Sequence, residues 1–334
     1  KKPFVLGHET SGIVHRVGER VVGLAVGDRV ALEPGEGCLR CDHCKSGHYA
    51  HCDNMKFAAA LGRDGTLQGF YTLPADLCYK LPQGMTLDDG ALIEPLAVAV
   101  HAIVHAADLK PNTNIVIFGA GPVGLLTMAV AKALGARKVY LVDVNPSRLE
   151  FAESYVPGVA TYCAPLPAKG EENSVYAQRQ VRVLLSSVGP NLTRQATALE
   201  STFDMSGREA IDLVVECSGA ESCVQTGLLL LRKRGTFVQV GNSKPYANIP
   251  LLAVINKELT VRGSFRYGPG CFSSAIDLVS RGLISLKPLI THKYEWADAV
   301  QAYETTTAAK GPDGRAAIKV LSESIISDCS IEIY

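Results

Sequence analysis

The period of the hydrophobic and polar positions changes partway along this chain. Between residues 12 and 80, apolar and polar residues alternate in short runs such as GIVHRVGERV, GDRVAL and GTLQGFYTLPADLCYKLP, bounded by Gly, Asp and Pro. A period of two closed by turn residues predicts short strands, and several in succession predict a β-rich, barrel-like region. The segment TLDDGALIEPLAVAVHAIVHA, residues 86–106, then has the length and the Asp-rich start of a helix. From residue 114 the pattern reads as a strand at 115–118, a glycine turn, a helix at 123–134, a strand at 139–142 and a helix opening at NPSRLEFAE. Residues 163–209 are polar and poorly periodic and are expected to hold a helix with a variable loop. The alternation resumes at IDLVVECSG, ESCVQTGLLLL, GTFVQVGN and ELTVRGSF. Strands alternating with helices imply a parallel sheet covered by helices. The expected fold class is therefore α/β, a β-rich domain joined to a doubly wound parallel-sheet domain. The tail from Ser324, ending SDCSIEIY, shows no structural role and is expected to fray.

Composition narrows the function classes. A chain of 334 residues suits two domains. Lys+Arg and Asp+Glu stand at 33 each, which leaves no excess charge to attract nucleic acid or an acidic membrane surface. The longest apolar run, ALIEPLAVAV, is interrupted by Glu94 and Pro95 and falls short of the roughly 20 residues a bilayer requires. The start, KKPFVLGHET, has neither an initiator Met nor a signal pattern, and is expected to lie inside a longer protein. Of the 10 cysteines, Cys38, Cys41, Cys44 and Cys52 cluster while the others are scattered in hydrophobic context. Clustered thiols in a core-forming chain indicate a metal in a reducing compartment, so the expected location is cytoplasmic.

IVIFGAGPVG places Gly119, Gly121 and Gly124 between a short apolar strand and a helix. The first glycine permits the tight turn, the second lets a pyrophosphate approach the backbone, and the third brings helix against strand. The helix N-terminus faces the anion. Asp143 ends the next strand, where a carboxylate accepts hydrogen bonds from the adenosine ribose and repels a 2′-phosphate, so NAD is expected rather than NADP. A helix-capping role is the alternative for Asp143. Nearby Arg148 offers a guanidinium for a phosphate or for stacking on adenine.

CLRCDHCKSGHYAHC has the spacing Cys-x2-Cys-x2-Cys-x7-Cys in a turn-rich loop. Four thiolates at one point meet the closed tetrahedral demand of a structural zinc, with two disulfides as the competing reading. His43, His48 and His51 are expected to be exposed loop residues. The pair His8 and Glu9 is metal-capable, although a histidine beside a strand glycine is commonly a satisfied core residue. Glu94, a carboxylate inside an apolar run, must find a partner or stay protonated.

GHETSG, the four-cysteine lobe, GDRVALEPG, DGTLQGFYTLPADLCYKLP, IEPLAVAVH, GAGPVG, KELTVRGSFRYG and AIDLVSRGLIS, in chain order, resemble the zinc-dependent medium-chain dehydrogenases, closest to the polyol branch of sorbitol, L-arabinitol and especially xylitol dehydrogenases. The likeness covers nearly the whole chain except residues 163–209 and the tail. It implies a GroES-like catalytic domain at 1–97 lacking its N-terminal part, a Rossmann domain at 98–263 and a return to the catalytic domain at 264–334. It also implies that His8 and Glu9 are ligands of a catalytic zinc, that Glu94 contacts it through water and touches substrate, and that a further cysteine ligand lies upstream of Lys1. Arg266 and Tyr267 correspond to substrate-hydroxyl contacts, with a surface Arg–Tyr stack as the alternative. Val123, Val240, Gly241, Asn242, Ser264, Phe265 and Arg266 correspond to cofactor contacts. The implied activity is zinc-assisted, NAD-dependent oxidation of a polyol, with xylitol to D-xylulose ahead of sorbitol or L-arabinitol, in a homo-oligomeric dimer or tetramer. A catalytically inert NAD-binding protein on the same scaffold is the reading from another class. A nucleic-acid module is excluded by the lack of a basic stripe around the lobe.

Overall fold

The computed structural model describes residues 3–60, 62–188, 207–323 and 330–333. The chain divides into two compact units, Lys1–Val98 with Arg266–Tyr334, and Ala99–Phe265.

The first unit is built on a five-stranded sheet ordered Phe70–Leu73, Ser330–Ile333, Ser11–Val17, Arg29–Leu32 and Cys78–Lys80. Phe70–Leu73 alternates exposed and buried positions, as a strand with one covered face must. Val14, Val30, Leu32, Tyr71 and Leu73 form its core together with Ile331 and Ile333. Residues 330–333 of the tail therefore depart from the expected fraying, while residues 324–329 lie outside the described residues. Ser330–Ile333 runs parallel to both Ser11–Val17 and Phe70–Leu73. Two isoleucines spaced two apart give its strand only one buried pair, too short a pattern to separate from chance in sequence.

Residues 86–106 also differ from the single expected helix. They form Leu87–Ala91, Ile93–Val100 and a π-helical turn His101–Ala106. Thr86 and Asp89 make a reciprocal capping box at the start. Pro95 has no N–H to give the Ala91 carbonyl, and the break falls just there, with Pro95 in the first turn of the second helix.

The second unit carries a six-stranded parallel sheet in the order Thr260–Gly263, Leu231–Gln239, Ile211–Glu216, Asn114–Phe118, Lys138–Asp143 and Ala160–Cys163. Asn114–Phe118 is buried at every position, as a central parallel strand covered on both faces should be. Helices Pro122–Ala133, Pro146–Tyr155 and Glu221–Leu230 pack against these strands. The helix expected in the polar stretch is Asn173–Val188, whereas residues 189–206, where the variable loop is expected, lie outside the described residues. Lys257 is buried, and its ammonium donates to the carbonyls of Leu229 at 2.6 Å and Leu231 at 2.8 Å, closing the end of Glu221–Leu230.

Candidate active site, metal centres and cofactor cradle

His8 and Glu9 follow a segment pinned by backbone bonds. Gly65 N–H donates to Val5 O at 2.7 Å, Leu67 N–H to Leu6 O at 2.9 Å and Thr66 N–H to Gly7 O at 2.8 Å. Gly7 has φ of 93°, and a Cβ there would meet Leu67 N and Thr66 Oγ1 at 3.1 Å, so the turn into His8 requires glycine. Glu94 enters from the first turn of Ile93–Val100. One ligand atom from each of His8, Glu9 and Glu94 lies within 4.8 Å of the others. The mixed imidazole and carboxylate donor set suits zinc. Burial lowers the His8 pKa, which keeps its lone pair free for a metal. Burial first, then the charge of Glu9, pushes Glu94 well above the ordinary carboxylate range. Two carboxylates held this close, with Glu94 buried, call for a cation beside them.

Two cations border this cluster. Lys319, which no sequence motif marked, donates to Oε2 of Glu9. It stands in the strand Lys319–Glu323, far from Glu9 in the chain, so only the fold reveals the pair. Arg266 lies with its guanidinium 3.8 Å from the centre of the Phe57 ring, and its backbone takes φ of 53°. A left-handed arginine is strained, and such residues gather at functional positions. The stack expected as the alternative for Arg266 and Tyr267 is absent in that form: Arg266 covers Phe57, while Tyr267 is 2% exposed and sets its ring edge-on to Phe272 at 5.0 Å. The Tyr267 hydroxyl is buried without a hydrogen-bond partner among the described residues. A polar atom left in that condition is costly unless something else meets it.

The cysteine lobe is local. The sulfur atoms of Cys38, Cys41, Cys44 and Cys52 lie within 4.8 Å of one another, and all four are free thiols rather than disulfides. The amides of Arg40 and Cys41 point at Cys38 Sγ from 3.5 and 3.3 Å, and the amide of Cys38 points at Cys52 Sγ from 3.3 Å. Those two amides on Cys38 pull its pKa down to about 6, favouring the thiolate that a metal takes. His43, His48 and His51 are exposed, as expected. A feature not foreseen in sequence ties the lobe down: buried Glu33 accepts from Tyr49 Oη at 2.5 Å and Tyr79 Oη at 2.8 Å. The glutamate inside VALEPG was its only signal.

In the second unit, Gly119 has φ of 97°, and a Cβ on Gly124 would sit 1.8 Å from Gly119 O, so neither position admits a side chain. Nothing lies within 4 Å of a Cβ built on Gly121, which leaves open space against the backbone. The helix Pro122–Ala133 opens with no side-chain cap, leaving its first amides for an anion. This cradle fits a pyrophosphate. Asp143 caps no helix: Asn145 does, accepting from the amides of Ser147 and Arg148. Asp143 Oδ2 instead accepts from Ala120 N–H at 2.6 Å and Oδ1 from Asn145 N–H at 2.8 Å, so the carboxylate braces the glycine turn. Val123 and Arg148 are half-buried in the first turns of their helices. Val240, Gly241 and Asn242 follow the strand Leu231–Gln239, and Ser264 and Phe265 follow Thr260–Gly263. The Ser264 hydroxyl is buried without a partner among the described residues. Ser264 and Phe265 belong to the second unit, and Arg266 and Tyr267 to the first.

D-xylulose reductase A of Aspergillus niger is 46% identical over 311 residues, 93% of this chain and 79% of that protein. Among solved structures, an Escherichia coli oxidoreductase of unknown specificity aligns with 30% identity and a TM-score of 0.77, over 97% of this chain and 83% of that one. L-idonate 5-dehydrogenase of Escherichia coli aligns with 28% identity and a TM-score of 0.73, over 96% of this chain and 82% of that one. Residues 1–83 match the alcohol dehydrogenase GroES-like domain, residues 122–281 match the zinc-binding dehydrogenase domain, and the chain belongs to that family of dehydrogenases.

Proposed function

We propose that this protein oxidises a secondary hydroxyl of a sugar alcohol to a ketone with NAD, xylitol to D-xylulose being the favoured reaction. The observation that carries the proposal is the convergence of His8, Glu9 and Glu94, with Arg266 interacting electrostatically with both His8 and Glu94. The 46% identity to a D-xylulose reductase supports the choice of substrate. Arg266 presents donors that match the many oxygens of a polyol, and the unpartnered Tyr267 hydroxyl offers another contact. A bound zinc supplies Lewis acidity, and NAD supplies the hydride acceptor. His8 and Glu9 would hold the metal. Glu94, its proton affinity raised by burial, would orient the substrate hydroxyl and exchange a proton at its carboxylate oxygen. The overall reaction would convert the polyol and NAD to the ketose, NADH and one proton.

The described residues include no helix long and apolar enough to cross a membrane. Free thiols at the nine cysteines among the described residues support a reducing, cytoplasmic setting. Thr260–Gly263 forms an edge of the six-stranded sheet with all four residues exposed, and Ile249, Leu251, Leu252 and Ile255 nearby in sequence are exposed as well. That uncovered edge supports a homo-oligomer, a dimer or tetramer, joined there. The activity is tested by following NADH formation with xylitol, sorbitol and L-arabinitol in parallel, before and after metal removal. Xylitol is expected to have the highest kcat/KM, with turnover abolished by chelation; a chelation-resistant rate, or none with any polyol, would refute the proposal.

A further inference from the structure

Glu216 ends the strand Ile211–Glu216 with 0% of its surface exposed, and the sequence marked it only as an acid in VVECSG. Its carboxylate gathers four donor groups. Ser218 N–H at 2.7 Å and the Ser218 hydroxyl bond Oε1, Gln239 Nε2 bonds Oε2 at 2.7 Å, and Gly219 N–H is shared between the two oxygens at 3.1 and 2.9 Å. Gln239 also donates to Gly241 O at 2.8 Å, and the amides of Val240 and Gly241 bond the Glu216 carbonyl at 2.9 and 2.8 Å. One buried side chain thus staples the loop 217–219 to the loop 240–242. The packing leaves no slack: a Cβ on Gly219 would lie 2.1 Å from Asn242 O, and one on Gly241 would lie 2.4 Å from Gly219 N and 2.8 Å from Glu216 Oε2.

None of these donors is a cation. A neutral glutamine would offer one oxygen and turn an N–H toward donors, so the ring of donors is matched to a carboxylate. Dipoles hold the group in place without cancelling its charge, and a fixed charge in a poorly polarisable interior acts at a distance.

The position of that charge follows from topology. The strand order reverses between Asn114–Phe118 and Ile211–Glu216, and ligands of doubly wound sheets bind outside the carboxyl ends of the strands at such a point. The Asp143 side of the reversal takes the adenosine under the function proposed above, on which this step rests. The Glu216 side is then left for the nicotinamide. The oxidised ring carries a positive charge and the reduced ring none.

We infer that Glu216 is a positioning residue for the nicotinamide half of the cofactor, and that its buried carboxylate makes the protein prefer the oxidised, cationic ring over the reduced, neutral one. The staple sets where the two loops stand, and the charge sets which redox form is held more tightly.

The test titrates the wild type and Glu216→Gln with NAD, NADH and ADP-ribose, the last lacking the nicotinamide. In the variant, ADP-ribose should bind within about twofold of wild type, while the ratio of NAD to NADH dissociation constants rises on the order of tenfold, the scale of one unit charge at short range through protein. An unchanged ratio, with both forms weakened alike or not at all, would overturn the inference and leave the dehydrogenase assignment standing. If Glu216→Gln loses ADP-ribose binding through misfolding, Gln239→Lys decides: its ammonium keeps a donor on Oε2 and cancels the charge, so the same rise is expected, and a wild-type ratio would overturn the inference. Wild-type protein that bound none of the three compounds would instead refute the cofactor reading on which this step stands.

Discussion

The cysteine lobe and the His8–Glu9–Glu94 cluster are both groups of side chains able to hold a metal, and they are built in opposite ways. The lobe takes four identical donors from 15 residues of chain, and backbone amides are aimed at two of the sulfurs. The cluster takes one imidazole and two carboxylates from separate segments, sets half-buried Glu9 beside buried Glu94, whose proton affinity is raised, and places Lys319 and Arg266 around them. A closed, uniform sphere holds an ion firmly and leaves nothing for a substrate to displace. A mixed set under charge strain leaves its ion exchangeable and its surroundings reactive. Under the proposed function, the difference would separate an ion that stabilises a loop from an ion that does chemistry.

That contrast can be broken most sharply at His8. His8→Ala should lower kcat/KM for xylitol by about 10³-fold, a loss of several kcal/mol of transition-state stabilisation, with the thermal midpoint nearly unchanged and the lobe metal retained. Metal analysis and thermal denaturation of the purified variant check both halves; a large fall in the midpoint would give this site a structural role. Cys41→Ser should do the reverse, losing the lobe ion and lowering Tm by at least about 5 °C while the other ion stays bound. Loss of only the ion near His8 would show that the two roles are exchanged.

Lys319→Met sharpens the comparison on one side only. Removing a cation from beside Glu9 should tighten zinc at the cluster by about tenfold in competition with a chelator, and leave the lobe unaffected. Weaker zinc binding would mean that the lysine serves chiefly to hold Glu9 in place. Asp143→Ser tests the second unit, which should be indifferent to both metals. NADP should compete with NAD better by a few-fold in initial-rate assays, an effect limited by the loss of the brace on Ala120. A variant keeping the full preference would remove Asp143 from cofactor selection.

What the sequence disclosed depended on how far apart the cooperating residues stand. The glycine turn and the cysteine lobe each act within a few residues, so spacing alone announces them, and the structure shows a positive φ at Gly119 and four clustered sulfurs where that spacing put them. His8, Glu9 and Glu94 could be grouped only through a family likeness, because no local pattern links the start of the chain to a helix after the β-rich region. Lys319 and Glu216 were invisible for the same reason. Their meaning lies in partners that the fold supplies, and a lone lysine or glutamate carries no period. Two errors of element came from short-range ambiguity. SIEI holds too few buried positions to announce a strand, and the apolar run of residues 86–106 concealed the missing amide of Pro95 that breaks it. Tyr267 sets its ring in the core and leaves its hydroxyl without a partner among the described residues, an orientation that no pattern of residue types encodes.

The most direct test of two metal sites with divided roles is anomalous diffraction at the zinc absorption edge from crystals of the protein grown with zinc. Two peaks are predicted, one equidistant from the sulfurs of Cys38, Cys41, Cys44 and Cys52 and one within bonding distance of His8 and Glu9. A single peak in the lobe, with His8 and Glu9 ligating nothing, would contradict the assignment of a catalytic ion to this chain.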